Sequence, residues 1–263
     1  MKLVSAAKLR KAQTAAENGQ AFISRLEKSF ARIMADLRGE FSHPLLESRA
    51  EVRRRLVIAI SGDRGLCGAF NSNVVKAIQK GEAEAGIERE YVTLGRRISS
   101  SARKNKWNVR KAYDALPESA ADWPVEALIN DAIKGFLGGE FDEVVLYYNE
   151  FVSVMTQNMV RIPLLPLGVT ESEEEQEASV IKYSPDRREI LGQMLPILIR
   201  TRLKQAALES KAGEHASRMT AMDSATSNAT ELIGKLKLTY NRARQSAITT
   251  ELIDIVGGAE AVK

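Results

Sequence analysis

A chain of 263 residues is long enough for one or two domains, and its 44% hydrophobic content is that of an ordinary soluble globular protein. The single cysteine, Cys67, excludes an internal disulfide and fits a reducing compartment. Net charge is only +4, but residues 1–38 concentrate eight Lys/Arg against Glu17, Glu27 and Asp36, a basic helix that suits either nucleic acid or an acidic protein surface.

The first element is legible from its spacing. Leu9, Ala12, Ala16, Gly19, Ile23, Leu26, Phe30, Ile33 and Leu37 alternate at threes and fours, the seam of a left-handed supercoil. At ~1.5 Å per residue the helix is ~57 Å long, and it ends near Gly39, before His43-Pro44. Its basic, amphipathic beginning, Lys2 to Lys11, is not a charged n-region followed by an apolar block, so no signal peptide is read.

Arg53-Arg54-Arg55 leads into Leu56–Ile60, a strand-length run buried on both faces. After the Gly62-Asp63-Arg64-Gly65-Leu66-Cys67-Gly68 turn, the pattern predicts a helix over Phe70–Ala85, a strand over Glu90–Leu94 and a weak helix over Arg96–Lys104. A helix over Val125–Leu137, stopped by Gly138-Gly139, precedes a strand over Glu143–Tyr148 and another over Gln157–Leu164. Strands alternating with helices describe a small α/β domain with a largely parallel, Rossmann-like sheet. The acidic stretch 171–177 reads as a solvated linker. Ser184-Pro185-Asp186 then reads as a helix start, Ser184 being the N-cap, and Pro196 as a kink or restart.

From Ile197 onward there is no proline, and Gly213 is the only glycine before Gly234. A helix over 197–256 is ~90 Å long, beyond what a compact domain encloses. Leu208, Ala212, Ala216, Met219, Met222, Ala225, Ala229, Leu232, Leu236, Tyr240, Ala243 and Ala247 form one stripe along it. Both long helices join the same inserted domain, so they pair antiparallel. Placing Leu37 beside Ile199 puts Met1 beside Lys235 and leaves 236–255 unpartnered, with Leu238, Tyr240, Ile248, Leu252 and Ile255 facing water unless another protein covers them. The domains expected are 1–52, first coiled-coil helix and connector; 53–169, α/β; 170–184, linker; and 185–263, second coiled-coil helix. Apolar runs such as Leu56–Ile60 and Val144–Tyr148 are too short to span a bilayer, which places the chain in the cytosol or peripheral to a membrane.

Chemistry is sparse. The glycine turn is G-x-x-G-x-x-G and not G-x-G-x-x-G, and there is no G-x-x-x-x-G-K-[ST]. Backbone N–H groups there could cradle an anion, but Asp63 would repel a phosphate, which favours a tight strand-to-helix turn with positive φ. Cys67 beside Leu66 and Ala69 reads as packed. His43 and His215 are too few and too scattered for a zinc site or a Ser/His/Asp triad. No catalytic, metal or cofactor site is expected.

The stretch Ile248-Thr249-Thr250-Glu251-Leu252-Ile253-Asp254-Ile255-Val256-Gly257-Gly258-Ala259 resembles the I-T-x-E-x-x-[DE]-x-x-x-G-A signature of the gamma subunit of the rotary F-type ATP synthase. Further matches are Met1–Leu9, Ser61–Asn71, Arg218–Met222 and Tyr240–Gln245, so the resemblance spans nearly the whole chain. It implies an antiparallel coiled coil of the terminal helices inside a ring of alternating alpha and beta subunits, with the α/β domain near the c-subunit ring and an epsilon subunit alongside. It implies no bond chemistry in this chain: rotation of an asymmetric shaft makes three beta sites differ and couples proton flow to ATP synthesis. By the same resemblance Arg218, Gln245, Thr249 and Glu251 match positions contacting beta, and Tyr183, Ser184, Pro185 and Asp186 the foot on the c ring, where many members have an acidic residue in place of Ser184. Location follows as peripheral, on the cytoplasmic face of the bacterial inner membrane. Members usually carry a further helical segment before the stretch matched by Met1–Val4, so the chain reads as N-terminally short. The alternative without the resemblance is a basic coiled-coil nucleic-acid-binding protein, although the first helix carries no aromatic stacking platform.

Overall fold

The structure, a computed structural model, describes residues 1–37, 41–168 and 186–260. Helix α1 (Lys2–Asp36) leads to strand β1 (Arg54–Ile60), α2 (Phe70–Gly81), β2 (Glu88–Leu94), α3 (Arg96–Lys104), β3 (Val109–Tyr113), α4 (Val125–Leu137), β4 (Glu143–Phe151) and β5 (Gln157–Leu165), and α5 (Arg187–Glu260) closes the chain. Residues 1–220 form one compact unit, and a second begins at Ala221.

The sheet runs β3-β2-β1-β4-β5, with β1, β2, β3 and β4 mutually parallel and β5 antiparallel to β4. Alternation along β1 decides its two faces. Leu56, Ile58 and Ile60 point into one core with α4, the second half of α1 and residues 191–207 of α5, while Val57 and Ala59 meet Val74, Ile78 and Ile98 of α2 and α3. Strand β3 is an element the sequence pattern did not announce. It is an edge strand whose Arg110, Lys111 and Ala112 are exposed, so it lacks the apolar alternation that signals a half-buried strand. Helix α2 stops at Gly81 rather than Ala85 because Glu82, the next residue, turns its carboxylate inward onto Arg55 at 2.7 Å.

The α1 seam is buried as its spacing requires: Leu9, Ala16, Ile23, Phe30 and Ile33 are all inside. The pairing with α5 is antiparallel, fixed by Arg202 Nε donating to Glu27 Oε1 at 2.8 Å, Gln205 Nε2 donating to the Ala16 carbonyl at 3.0 Å, and Leu9 packing on Ala212 and Ala216. This corrects the expected register by roughly three helical turns. Met1 shares a cavity lining with Arg218. The cause is Pro196, which does not break the helix: α5 begins at Arg187 and passes through it. A proline in a helix loses one N–H bond and crowds the carbonyl four residues back. Here that residue is Gly192, and the buried Leu195, Leu198 and Ile199 hold the turn in place by packing. The start is also corrected. Asp186 is the capping residue, its Oδ2 accepting from Arg188 N at 3.2 Å and its carbonyl from Ile190 N at 3.1 Å; Ser184 lies outside the described residues.

In the second unit, every residue from Asp223 to Ala259 is exposed. Leu238, Tyr240, Ile248, Leu252 and Ile255 do face water, and the exposed stretch begins well before the expected residue 236.

Candidate functional site

The C-terminal ends of β1 and β2 open onto a cavity of about 710 Å³ between the glycine turn, the start of α1 and residues 211–218 of α5. The turn is shaped by close approach as much as by backbone sign. Gly68 has φ +55°, and Leu66, at φ 60°, also sits in the left-handed region. Gly62 is needed for another reason: a Cβ there would come within 2.9 Å of the Glu214 carboxyl carbon. Asp63 is a cap, its Oδ1 accepting from Arg96 N at 2.8 Å at the start of α3.

Glu214 is the hub of the cavity. Arg218 Nη2 donates to it at 2.6 Å and Lys211 Nζ at 3.1 Å. Burial alone would push its carboxyl up, but the two cations outweigh burial and hold it below the usual range. Arg218 also donates from Nε to the Gly65 carbonyl at 3.4 Å, tying α5 to the turn. Glu118, from the loop after β3, accepts from Lys8 of α1 at 3.0 Å and lies 3.3 Å from His215 Nε2 on α5. Burial lowers the His215 imidazole. Cys67 is packed, and burial raises its thiol. The arrangement clamps three elements to one another; it sets no nucleophile against a base. Among the described residues no three His, Cys, Asp or Glu side chains group as metal ligands.

Of the residues assigned to partners, Arg218 belongs to the first unit and Gln245, Thr249 and Glu251 to the second. Arg218 is turned inward, its side chain 12% exposed. Gln245, Thr249 and Glu251 stand exposed on the second unit, where Thr249 Oγ1 donates back to the Gln245 carbonyl at 2.8 Å. At ~100° per residue Gln245 and Thr249 share a face while Glu251 points nearly opposite Thr249, so the three cannot meet one flat surface. Asp186 caps α5, and Tyr183, Ser184 and Pro185 lie outside the described residues. The sequence reading missed Lys211, Glu214, His215 and Glu118. For the first three a signal existed: charged residues at three- and four-residue spacing on the alanine stripe that faces inward. Glu118 comes from a loop and offered none.

A protein-family profile described as ATP synthase matches residues 1–262. The ATP synthase gamma chain of Geotalea daltonii is 41% identical over 266 residues, an alignment that covers 100% of this chain and 92% of that one. The chain belongs to the ATP synthase gamma chain family. A second member, from Chlorobium phaeobacteroides, is 41% identical over 271 residues with the same coverage, 100% and 92%. Among solved structures, a chain of the Euglena gracilis mitochondrial ATP synthase OSCP/F1/c-ring assembly aligns with TM-score 0.60 at 16% identity, over 99% of this chain and 94% of that one. A chain of the Tetrahymena thermophila mitochondrial ATP synthase central stalk and c-ring aligns with TM-score 0.59 at 21% identity, over 86% and 97%. These structures share the fold of the gamma family: terminal helices paired around an inserted α/β domain. Membership in the gamma family leaves the nucleic-acid alternative without a supporting observation. Among the described residues no helix is long and apolar enough to cross a membrane.

Proposed function

We propose that the chain is the central rotor shaft of an F-type ATP synthase, coupling proton flow through a c ring to ATP synthesis or hydrolysis at beta subunits, with no catalytic site or cofactor of its own. The observation that carries this reading is the second unit, a helix exposed from Asp223 to Ala259 with ten large apolar side chains in water, from Leu232 to Val256. A helix apolar on several faces calls for a surrounding partner, and an alpha and beta ring is a cavity of the right kind. Gln245, Thr249 and Glu251 point in different directions and so reach more than one subunit of such a ring, beta among them. Arg218 contributes differently, by fixing the glycine turn at the ring's edge.

The foot, Asp186 with residues 183–185, meets the c ring, and the α/β domain at 53–169 lies beside it with epsilon. The complex then holds this chain peripherally on the cytoplasmic face of the bacterial inner membrane, and the acidic segment 170–184 links the inserted domain to the second shaft helix. The test is co-purification from the native membrane, in which the chain is expected as one copy among three alpha and three beta subunits. Recovery of the chain free of both subunits sinks the reading.

A further inference from the structure

A second cavity, of about 520 Å³, lies on the other side of the helix pair, between α1, α5 and the β4/β5 face of the sheet. Two buried oxygens on residues that line it, Gln205 Oε1 and Glu209 Oε2, have no hydrogen-bond partner within bonding distance among the described residues. Both are acceptors, and a buried acceptor without a donor costs ~1–3 kcal/mol, more if it is charged. Their side chains are otherwise committed. Gln205 Nε2 donates to Glu209 Oε1 at 2.8 Å and to the Ala16 carbonyl of α1 at 3.0 Å, so one amide holds the carboxyl and the helix pair together. Gly19 makes room for it, since a Cβ there would lie 2.1 Å from Gln205 Oε1.

The charges facing Glu209 from each neighbouring element are unfavourable to an anion. Strand β4 presents Glu150 and the buried Tyr148 phenol, α1 presents Glu27, and β5 presents Ile162 and Pro163. Among the described residues of the lining the one cation, Arg202 of α5, is spent on Glu27 at 2.8 Å. An ionised Glu209 would therefore be a carboxylate whose Oε1 accepts from the Gln205 amide, with only the Tyr148 phenol to help it and the Glu150 charge nearby. A neutral carboxylic acid removes the charge from this buried, cation-poor setting.

We propose that Glu209 keeps its proton in this cavity above the pH at which an ordinary glutamate ionises, and that losing it loosens the pairing of α1 with α5, making the helix pair a pH-sensitive latch. The inference concerns the chain by itself and stands or falls apart from the rotor function. Burial drives the Glu209 carboxyl above its ordinary range, against the hydrogen bonds from Gln205 and Tyr148, and the Glu150 charge adds to the rise. A folded-state value above the unfolded one sets the sign. The stabilisation is complete below the ordinary glutamate value of ~4.3 and is lost as pH rises through the folded value. Within that window opening of the pair rises up to ~10-fold per pH unit.

The test compares the full chain with its Glu209→Gln variant, which keeps the shape and cannot ionise. Amide hydrogen exchange along 9–23 and 202–216, corrected for the intrinsic pH dependence of exchange, is followed from pH 5 to 9 together with Tm. Wild type is expected to lose protection and a few degrees of Tm as pH rises, and the Gln variant to lose that slope. Equal slopes in the two overturn the proposal. Should the variant not fold, the infrared C=O stretch of wild type decides: a protonated-carboxyl band persisting at about pH 5.5, where a glutamate titrating at the ordinary ~4.3 is ionised, supports the latch, and its absence there overturns it.

Discussion

The Tyr147 hydroxyl donates to Glu82 Oε1 at 2.8 Å, joining β4 to the residue that ends α2. Glu82 also accepts from Arg55 at 2.7 Å and from Arg89 at 3.0 Å, with Arg161 Nε 3.6 Å away. Its side chain is 2% exposed, so four strands converge on one buried carboxylate. Burial alone would raise that carboxyl, but the bonds from Arg55, Tyr147 and Arg89 outweigh burial and keep it below the usual range. A depressed value gives stability that is present above ~4.3 and lost as pH falls through the folded value. Glu82→Ala is expected to cost ~1.5–3 kcal/mol at neutral pH, because it removes buried charge-assisted hydrogen bonds while Arg55 keeps Glu143 as a partner, and to flatten the acid limb of the stability curve. Urea unfolding at a series of pH values measures both; a cost under ~1 kcal/mol would mean that the network is not holding the strands.

Two glycines in the left-handed region separate strain from collision. At Gly68, φ +55°, an added Cβ meets nothing within 4 Å, so Gly68→Ala is expected to cost only the backbone term, ~1–2 kcal/mol. At Gly95, φ +111°, the Cβ would lie 2.3 Å from the Ser61 carbonyl oxygen, which is backbone and cannot swing away. Gly95→Ala is expected to add an overpacking cost of ~1–3 kcal/mol on top of the strain. Denaturant midpoints for the pair settle the order, and equal losses would remove the collision from the account.

What could be read from the chain was what periodicity encodes. The α1 seam, the buried run of β1 and the absence of a helix breaker after Pro196 each depend on neighbours in sequence, and each is in place. Register was not encoded that way. It is set by Gln205 on Ala16 and Arg202 on Glu27, contacts between residues more than 170 apart, and the placing of Leu37 beside Ile199, just past an expected kink or restart at Pro196, displaced all of them together. The candidate site failed for a similar reason. Arg218 was legible as a motif residue, but that its guanidinium turns back onto Glu214 and the Gly65 carbonyl depends on where the turn after β1 lands. Asp63 carried a charge that argued against phosphate, and the structure gives it a different task, capping α3.

The first unit should survive without the second. Its core lies wholly within residues 1–220, and each residue from Asp223 to Ala259 is exposed, so removing the chain after Thr220 takes away no side chain that is buried among the described residues. Such a truncation is expected to keep Tm within a few degrees of the full chain, while helical circular dichroism falls by the share of the missing segment. Loss of cooperative unfolding in the truncated chain would show that the first unit draws stability from residues it does not contain.

A break inside the second unit, by contrast, should be silent for folding of the core and severe for work. Ala229 is exposed, and Ala229→Pro removes an N–H bond and crowds the carbonyl of Ala225, at ~3 kcal/mol or more. A shaft carries torque only through an unbroken hydrogen-bond ladder, so the assembled enzyme should keep its subunits and lose ATP-driven proton pumping. Single charge removals such as Lys8→Ala touch a part-exposed ion pair worth ~0–1 kcal/mol and should leave pumping nearly intact. Pumping is followed by dye quenching in inverted vesicles beside ATP hydrolysis by the same preparation. The expected signature is hydrolysis retained with pumping lost in Ala229→Pro and both retained in Lys8→Ala; wild-type pumping by Ala229→Pro would mean that torque does not pass along this helix.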